Sequence, residues 1–226
     1  MAIKVTWLGH SGFQLDLNGA NVLIDPFLSG NPLATVSPEN LDAEFILLTH
    51  VHGDHLGDTV AIAQRTGAQV IGVAEVAGWM AAKGIKAHGQ NVGGGFAHPF
   101  GHAKYVRADH SSTFPDGSSG GTACGIVITV NGTKLYFAGD TALFSDMTLI
   151  GNLGIDVAFL PIGDNYTMGP TDCIEAIRLI RPKAAFPIHY NTWPLLQQDA
   201  AGWAQRVHNE TDAKAIIVDP GGSFSV

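Results

Sequence analysis

The feature that most constrains this chain is a short apolar run followed at once by a cluster of histidines and aspartates. Residues 45–48 read FILL, which predicts a buried strand, and residues 49–58 read THVHGDHLGD. Open α/β sheets bind ligands beyond the carboxyl ends of their strands. The chain is therefore expected to contain such a sheet, with this cluster at its ligand-binding edge.

Four of these residues form the pattern H-x-H-x-D-H, which is typical of a metal site: His50, His52, Asp54 and His55. Histidines two apart on an extended chain point the same way, and Gly53 permits a turn that presents Asp54 and His55 to a neighbouring point. Imidazole nitrogen and carboxylate oxygen are ligands that zinc prefers, and catalytic zinc sites keep one position for water. The arrangement favours two adjacent metal ions over a set of solvated loop residues.

Three later residues come directly after apolar runs and are candidates to complete the two ligand sets: His110, Asp140 and His189. Two of them have other readings. Asp140 could cap a helix over residues 145–152, and His189 could be a buried, hydrogen-bonded histidine.

His110 has the most competitors among the predicted ligands. Asp109 precedes it directly, and His98 and His102 lie a short way upstream. Any of the three could supply the donor if the register of this segment is shifted.

The order of these donors along the chain resembles the metallo-β-lactamase superfamily, and the resemblance covers essentially the whole chain. Residues 7–13 (WLGHSGF), 23–27 (LIDPF) and 162–169 (IGDNYTMG) are similar to a bacterial and archaeal group of small metal-dependent hydrolases near the L-ascorbate-6-phosphate lactonases and the phospholipase-D-like branch. The resemblance implies an α/β fold, a four-layer αββα sandwich with two mixed sheets face to face and helices outside, as a single domain over residues 1–226.

The resemblance also implies a binuclear metal site. The first metal would be held by His50, His52 and His110, the second by Asp54, His55 and His189, and Asp140 would bridge them. The cofactors are expected to be two divalent ions, with zinc favoured and manganese, iron or nickel as alternatives.

Two such ions imply hydrolysis of a small ester, lactone or phosphoester by a metal-bridging hydroxide. Asp54 would orient the nucleophile. His10 would donate a proton or contact the substrate, unless His10 and Asp25 only support the ligand histidines from behind. The formal charge of the site would be about +1, which favours a substrate with an anionic group.

The rest of the sequence predicts two β-rich halves that each carry helices. Asn18-Gly19 and Asn131-Gly132 are hairpin dipeptides between apolar runs, and Asp172 with Glu175 resembles a helix-capping box. Strands are predicted over residues 3–7, 13–17, 22–24, 45–48, 70–73, 122–130, 134–138, 157–160, 184–188 and 215–218, and helices over 59–66, 75–83, 172–180 and 195–208. Such halves favour two sheets packed face to face with helices outside.

Charge argues against a nucleic-acid substrate. Lys and Arg number 12 against 20 Asp and Glu, the formal net charge is −8, and no stretch concentrates basic residues. An RNA-processing nuclease would use the same ligands but needs a basic surface. A related di-iron oxidoreductase usually has a carboxylate in place of His52 and adds a flavin domain, whereas a non-catalytic metal-binding protein would have lost ligands.

Two further features bear on location and partners. The N-terminus lacks a signal-peptide pattern and no apolar run approaches the roughly 18 residues of a membrane span, so we expect a cytoplasmic protein that binds a small molecule and no membrane. Cys124 and Cys173 have no metal-binding spacing and are expected to be buried thiols. A homo-oligomer is compatible with the sequence.

Overall fold

A computed structural model describes residues 2–226, which form fourteen strands and six α-helices. The strands are β1 Lys4–Gly9, β2 Gly12–Leu17, β3 Ala20–Ile24, β4 Phe45–Leu47, β5 Gln69–Val73, β6 Ala87–Gln90, β7 Gly95–His98, β8 Gly101–Arg107, β9 Cys124–Val130, β10 Thr133–Phe137, β11 Val157–Pro161, β12 Ala184–Ile188, β13 Lys214–Ala215 and β14 Ser223–Ser225. The helices are α1 Gly53–Leu56, α2 Thr59–Thr66, α3 Ala74–Ala81, α4 Met147–Gly151, α5 Pro170–Ile180 and α6 Ala200–Glu210.

The strands make two mixed seven-stranded sheets. The first has the order β14-β1-β2-β3-β4-β5-β6, and the second β13-β12-β11-β10-β9-β8-β7. Their apolar faces pack together, as shown by Phe13 of the first sheet, whose ring centroid lies 4.7 Å from that of Phe159 in the second. The predicted α/β sandwich of two mixed sheets is confirmed.

The helices cover the outer faces through one apolar stripe each. In α5 the buried residues recur three or four apart, as a helix with one face on a core requires: Cys173, Ile174, Ala176, Ile177 and Ile180. Cys124 and Cys173 are free and buried, as predicted. No helix within residues 2–226 combines the length and apolarity needed to cross a bilayer.

The two predicted hairpins form for the expected reason. Asn18 and Gly19 have φ of 56° and 86°, and Asn131 and Gly132 have φ of 50° and 86°. A two-residue turn with positive φ at both central positions matches the twist of the flanking strands, and Asn-Gly adopts it at low cost.

In the C-terminal half, several predicted boundaries of helices and strands are wrong. The helix predicted over 195–208 is a short 3₁₀ turn, Pro194–Leu196, followed by α6, whose first turn is capped by Asp199 through a 2.9 Å bond from the Gly202 amide. The predicted capping box at Asp172 is absent, because α5 already begins at Pro170. The strand predicted over 215–218 is the two-residue β13.

One edge of the sandwich collects the carboxyl ends of ten strands, and we call it the ligand end. In the first sheet β1, β3, β4, β5 and β6 run toward it, and in the second sheet β8, β10, β11, β12 and β13 do. Backbone bonds join the sheets there, from the Cys124 amide to the Thr49 carbonyl at 3.1 Å and from the His189 amide to the His10 carbonyl at 3.2 Å.

Candidate metal centre

All seven predicted metal ligands converge at the ligand end. Their donor atoms fall into three overlapping groups, within each of which the atoms lie within 4.8 Å of one another: His50, His52 and His110; His10, Asp54, His55 and His189; and His50, His55 and Asp140. We call the first the all-histidine group and the second the mixed group. They correspond to the two ligand sets that the resemblance implies, with His10 added to the second.

In the all-histidine group, three ring nitrogens face one another. His52 Nδ1 lies 3.1 Å from His50 Nε2 and 3.3 Å from His110 Nε2. His50 is buried, whereas His52 and His110 are partly exposed. The group therefore opens toward solvent on one side.

In the mixed group, a carboxylate lies among imidazoles. Asp54 Oδ2 lies 3.2 Å from His10 Nε2 and 3.7 Å from His189 Nε2. Asp54 sits in α1, directly after the Gly53 turn, and its side chain is 24% exposed, whereas His10, His55 and His189 are buried. Asp54 is thus the solvent-facing member of this group.

Asp140 lies between the two groups and is buried. Its carboxylate oxygens lie 3.1 Å from His55 Nε2, 3.1 Å from His189 Nε2, 3.5 Å from His110 Nε2 and 3.9 Å from His50 Nε2. The helix that it was considered to cap, α4, begins only at Met147, with Asp146 at its N-cap. Asp140 therefore lies beside imidazoles of both groups, and it makes no contact typical of a helix cap.

Asp25 lies behind both groups and fixes which ring nitrogens point inward. It accepts a 2.9 Å bond from His55 Nδ1 and a 2.6 Å bond from the Thr49 hydroxyl. Because that hydroxyl donates to Asp25, its oxygen is free to accept from His50 Nδ1 at 3.1 Å. His50 then carries its proton on Nδ1 and presents an unprotonated Nε2 to the centre, and His55, which donates from Nδ1 to Asp25, faces Asp140 with Nε2.

His10 is held between the Thr192 hydroxyl and Asp54. Its Nδ1 lies 2.7 Å from the Thr192 hydroxyl and its Nε2 3.2 Å from Asp54. Since a carboxylate only accepts, Nε2 carries the proton and Nδ1 accepts from Thr192. His10 has 0% exposure, beneath Trp193 and Phe27, whose ring centroids lie 5.3 and 5.8 Å from its own.

Burial and neighbouring charge shift the titration of this cluster in opposite directions. Burial lowers the pKa of His50 well below its ordinary value and that of His10 to about 4. Burial also lowers the pKa of His189, but Asp140 outweighs it and raises the value to about 9. Burial opposes ionisation of Asp140, yet the surrounding imidazoles hold its pKa well below the usual range. Since neutral imidazoles and ionised carboxylates are the forms that bind metal, His50 and Asp140 are ready to bind, whereas His189 must first lose a proton.

The donor set fits divalent metal ions on a direct observation. His55 Nε2 and Asp140 Oδ1 are buried and approach to 3.1 Å, yet neither has an aligned hydrogen-bond partner. Buried polar atoms are rarely left unpaired, and both residues belong to one candidate ligand group with His50. Imidazole and carboxylate donors with a supporting carboxylate behind them are the set that zinc and similar ions prefer.

Three site residues adopt a left-handed backbone, with φ of 55° at His10, 42° at Asp25 and 57° at His189. Such conformations cost non-glycine residues on the order of 1 kcal/mol and persist where the surroundings fix them, commonly at functional sites. Gly163 packs so closely on the His189 carbonyl that no side chain would fit there.

The competing donors lie elsewhere. His98 bonds Gln90 at 3.0 Å, and His102 lies at the start of β8, at the opposite end of that strand from His110. Asp109 is paired with Arg107 at 2.8 Å. None of the three belongs to the ligand groups found within residues 2–226.

The loops after β11 and β12, over residues 162–169 and 189–199, contain both buried and exposed large side chains. Tyr190 is buried and stacks on Trp7 at 5.6 Å, and Met168 is buried as well. Tyr166 and Trp193 are 56% and 37% exposed. Sequence reasoning did not single out Thr49 and Thr192, because nothing in one sequence distinguishes a threonine that orients a histidine from an ordinary loop threonine.

Comparisons with known proteins agree with this geometry. The family model described as a beta-lactamase superfamily domain matches residues 20–190. A UPF0173 metal-dependent hydrolase of Enterococcus faecalis is 52% identical over 96% of this chain and 97% of its own, and one of Thermus thermophilus is 47% identical over 97% of both. The structure of Igni18, a metallo hydrolase from Ignicoccus hospitalis, superposes with a TM-score of 0.93 at 34% identity over 100% of this chain and 99% of its own.

Proposed function

Because this chain belongs to the UPF0173 metal-dependent hydrolases of the beta-lactamase superfamily, we propose that it hydrolyses a small ester, lactone or phosphoester with two divalent metal ions. The observation that carries the proposal is the position of Asp140. A single buried carboxylate lies within 3.9 Å of imidazoles from both ligand groups.

The residues would divide the work as follows. His50, His52 and His110 would hold the first ion, Asp54, His55 and His189 the second, and Asp140 both. When bound, two such ions make water nucleophilic near neutral pH and stabilise the negative charge that develops on the substrate. Zinc suits these donors, and manganese, iron or nickel are alternatives.

Asp54 would orient the attacking water, since it is the solvent-facing carboxylate of the mixed group. His10 is completely buried and directs Nε2 at Asp54 rather than at solvent. These contacts favour His10 as a positioning residue for Asp54 over a proton donor to the leaving group.

The test combines elemental analysis with a hydrolysis screen. Purified, reconstituted protein is expected to hold two transition-metal ions per chain and to hydrolyse at least one class among lactones, carboxylic esters, thioesters, phosphodiesters and phosphomonoesters. One ion or none after reconstitution would overturn the binuclear site. Two ions without turnover of any class would argue for a metal-binding protein without hydrolase activity.

A further inference from the structure

The ligand end carries almost no positive side chains. No lysine or arginine occurs in the segments at this end that carry or flank the two ligand groups: residues 10–11, 25–37, 48–58, 108–123, 138–146, 162–169 and 189–199. Arg107, the last residue of β8, is the one exception nearby, and it is committed to Asp109 at 2.8 Å and Asp146 at 3.2 Å. The other basic residues lie in strands, in helices or in the loops that enter β6 and β12 at the opposite end of the sandwich.

Carboxylates also reduce the charge that two metal ions would bring. Asp25, Asp54 and Asp140 lie in or behind the two groups and would offset three of the four positive charges of two divalent ions. The charge of +1 expected from the sequence counted Asp54, Asp140 and a hydroxide, so adding Asp25 lowers the formal charge to about zero, and an anionic substrate would meet no excess positive charge.

The acidic residues at the rim are engaged as well. Asp109 pairs with Arg107, Asp164 accepts a bond from the Asn165 amide at 2.8 Å, and Asp199 caps α6. The rim therefore offers no free carboxylate among these three to select a cationic substrate.

Apolar surface lies beside the mixed group instead. Trp193 is 37% exposed, and its ring centroid lies 6.0 Å from that of Phe27. Both rings cover His10, which in turn contacts Asp54. Since Trp193 and Asp54 both contact His10, a substrate held at Asp54 would have the exposed Trp193 ring nearby.

We propose that the substrate is an uncharged carboxylic ester or lactone whose apolar group packs on Trp193. The inference rests on the proposed hydrolase function and narrows it. Phosphate monoesters carry close to two negative charges at neutral pH, and proteins usually add arginine or lysine to bind them. The ligand end supplies no such residue, but it supplies an aromatic surface.

The experiment compares matched 4-nitrophenyl esters of similar size with the metal-loaded protein: the neutral butyrate, the anionic hydrogen succinate and the cationic 4-(trimethylammonio)butyrate, with the short acetate and bis(4-nitrophenyl) phosphate alongside. The butyrate is expected to have a kcat/KM about a hundredfold above the charged esters and the phosphodiester. Preference for any charged substrate would overturn the proposal.

Variants locate the apolar contact. Trp193→Ala is expected to lower kcat/KM for the butyrate about tenfold and for the acetate less than about twofold, with Trp193→Phe restoring most of the loss. Phe96→Ala, an exposed aromatic residue on β7, is the matched control and should leave both values unchanged. Equal losses on both esters, or none, would remove Trp193 from the substrate site.

A binding measurement separates this inference from the hydrolase function. The ketone in which a methylene replaces the butyrate ester oxygen cannot be hydrolysed, and calorimetry should show that it binds the wild type more tightly than Trp193→Ala. Binding of this kind without turnover of any ester would support the apolar subsite while overturning the hydrolase function. Turnover of charged esters without ketone binding would support the function and overturn the subsite.

Discussion

The all-histidine group and the mixed group sit side by side but are built differently. The first consists of three imidazoles, two of them partly exposed, and its nearest support is Thr49 behind His50. The second adds the carboxylate of Asp54 to buried imidazoles and is supported by Asp25 behind His55 and by Thr192 behind His10. A buried site with charged and oriented donors resists rearrangement more than a half-open set of neutral rings.

This difference suggests an order of affinity. An ion in the mixed group would be neutralised locally by Asp54 and Asp140, whereas one in the all-histidine group has only Asp140 nearby. We therefore expect the mixed group to hold its ion more tightly and the all-histidine group to exchange its ion with solution.

Removal of both metal ions is expected to have the largest effect, and it tests whether the two groups differ in affinity. Chelation is expected to abolish activity and to release the ions in two phases, the fast one from the all-histidine group. The melting temperature should fall by about 20 °C, because each ion present at about 1,000 times its Kd contributes about 4 kcal/mol, and a domain of this size loses roughly 2 to 4 °C per kcal/mol. Calorimetry and metal release with a chromogenic chelator measure both, and single-phase release would break the comparison.

Substitution of Asp140 is expected to affect the two groups together. Asp140→Ala removes the carboxylate shared by both, so metal occupancy should fall at both sites and activity by about 10³-fold or more, corresponding to several kcal/mol. Elemental analysis and kcat/KM check this. Loss of a helix cap alone would cost only about 0.5 to 2 kcal/mol of stability. Full occupancy with a lowered melting temperature would therefore contradict the bridging role.

Substitution of His110 should separate the groups. His110→Ala is expected to lose the fast-exchanging ion, with its affinity reduced by more than about 100-fold, and to keep the slow one. His98→Ala and His102→Ala are the controls, because both side chains lie away from the ligand end and should leave two ions bound. Loss of metal in either control and not in His110→Ala would reverse the assignment.

Separation along the sequence explains which parts of both groups could be predicted. His50, His52, Asp54 and His55 are close in sequence, so one strand end and one turn dictate their proximity. His110, Asp140 and His189 approach them only because the second sheet packs on the first, which no local pattern reveals. For these three the resemblance to a known superfamily supplied what spacing could not.

The fold shows the same limit. Asn-Gly hairpins and the apolar strands 157–160 and 184–188 were predicted correctly, because local backbone preference and hydrophobicity both favour them. The edge strands β6, β7 and β14 were missed, since AHGQ, GFAH and SFS are short and lack an alternating apolar pattern. The helix predicted from 195 begins at Ala200 because Asp199 provides the cap, and the backbone of Gln197 and Asp199 is extended.

The two threonines behind the site offer a finer test of the comparison. Thr49→Val should lower the affinity of the all-histidine group for its ion about tenfold, because His50 loses the acceptor for its Nδ1 proton. Thr192→Val should lower the affinity of the mixed group by a similar factor, because Thr192 holds His10, which contacts Asp54. Competition with a chelator of known affinity measures each. Thr→Ser at each position retains the hydroxyl and should restore binding, and rescue at neither position would leave the threonines with a packing role.

The smallest effect is expected with nucleic acid, which shares its metal chemistry with the closest competing function. Each phosphate that a protein neutralises makes affinity fall further with salt, so a nuclease needs basic residues around its metals. The segments that carry or flank both groups contain no lysine or arginine, within a chain of net charge −8. We expect RNA and duplex DNA to bind no better than non-specifically at 50 mM salt, with no strand cleavage by the metal-loaded protein, measured by fluorescence anisotropy and gel electrophoresis.

Reversal of one charge at the ligand end is a further test of this prediction. Asp164→Lys adds one cation there and should increase RNA affinity by only a small, salt-sensitive factor. Micromolar wild-type binding that falls steeply between 50 and 200 mM salt, together with specific cleavage, would instead make both metal groups parts of a nuclease site.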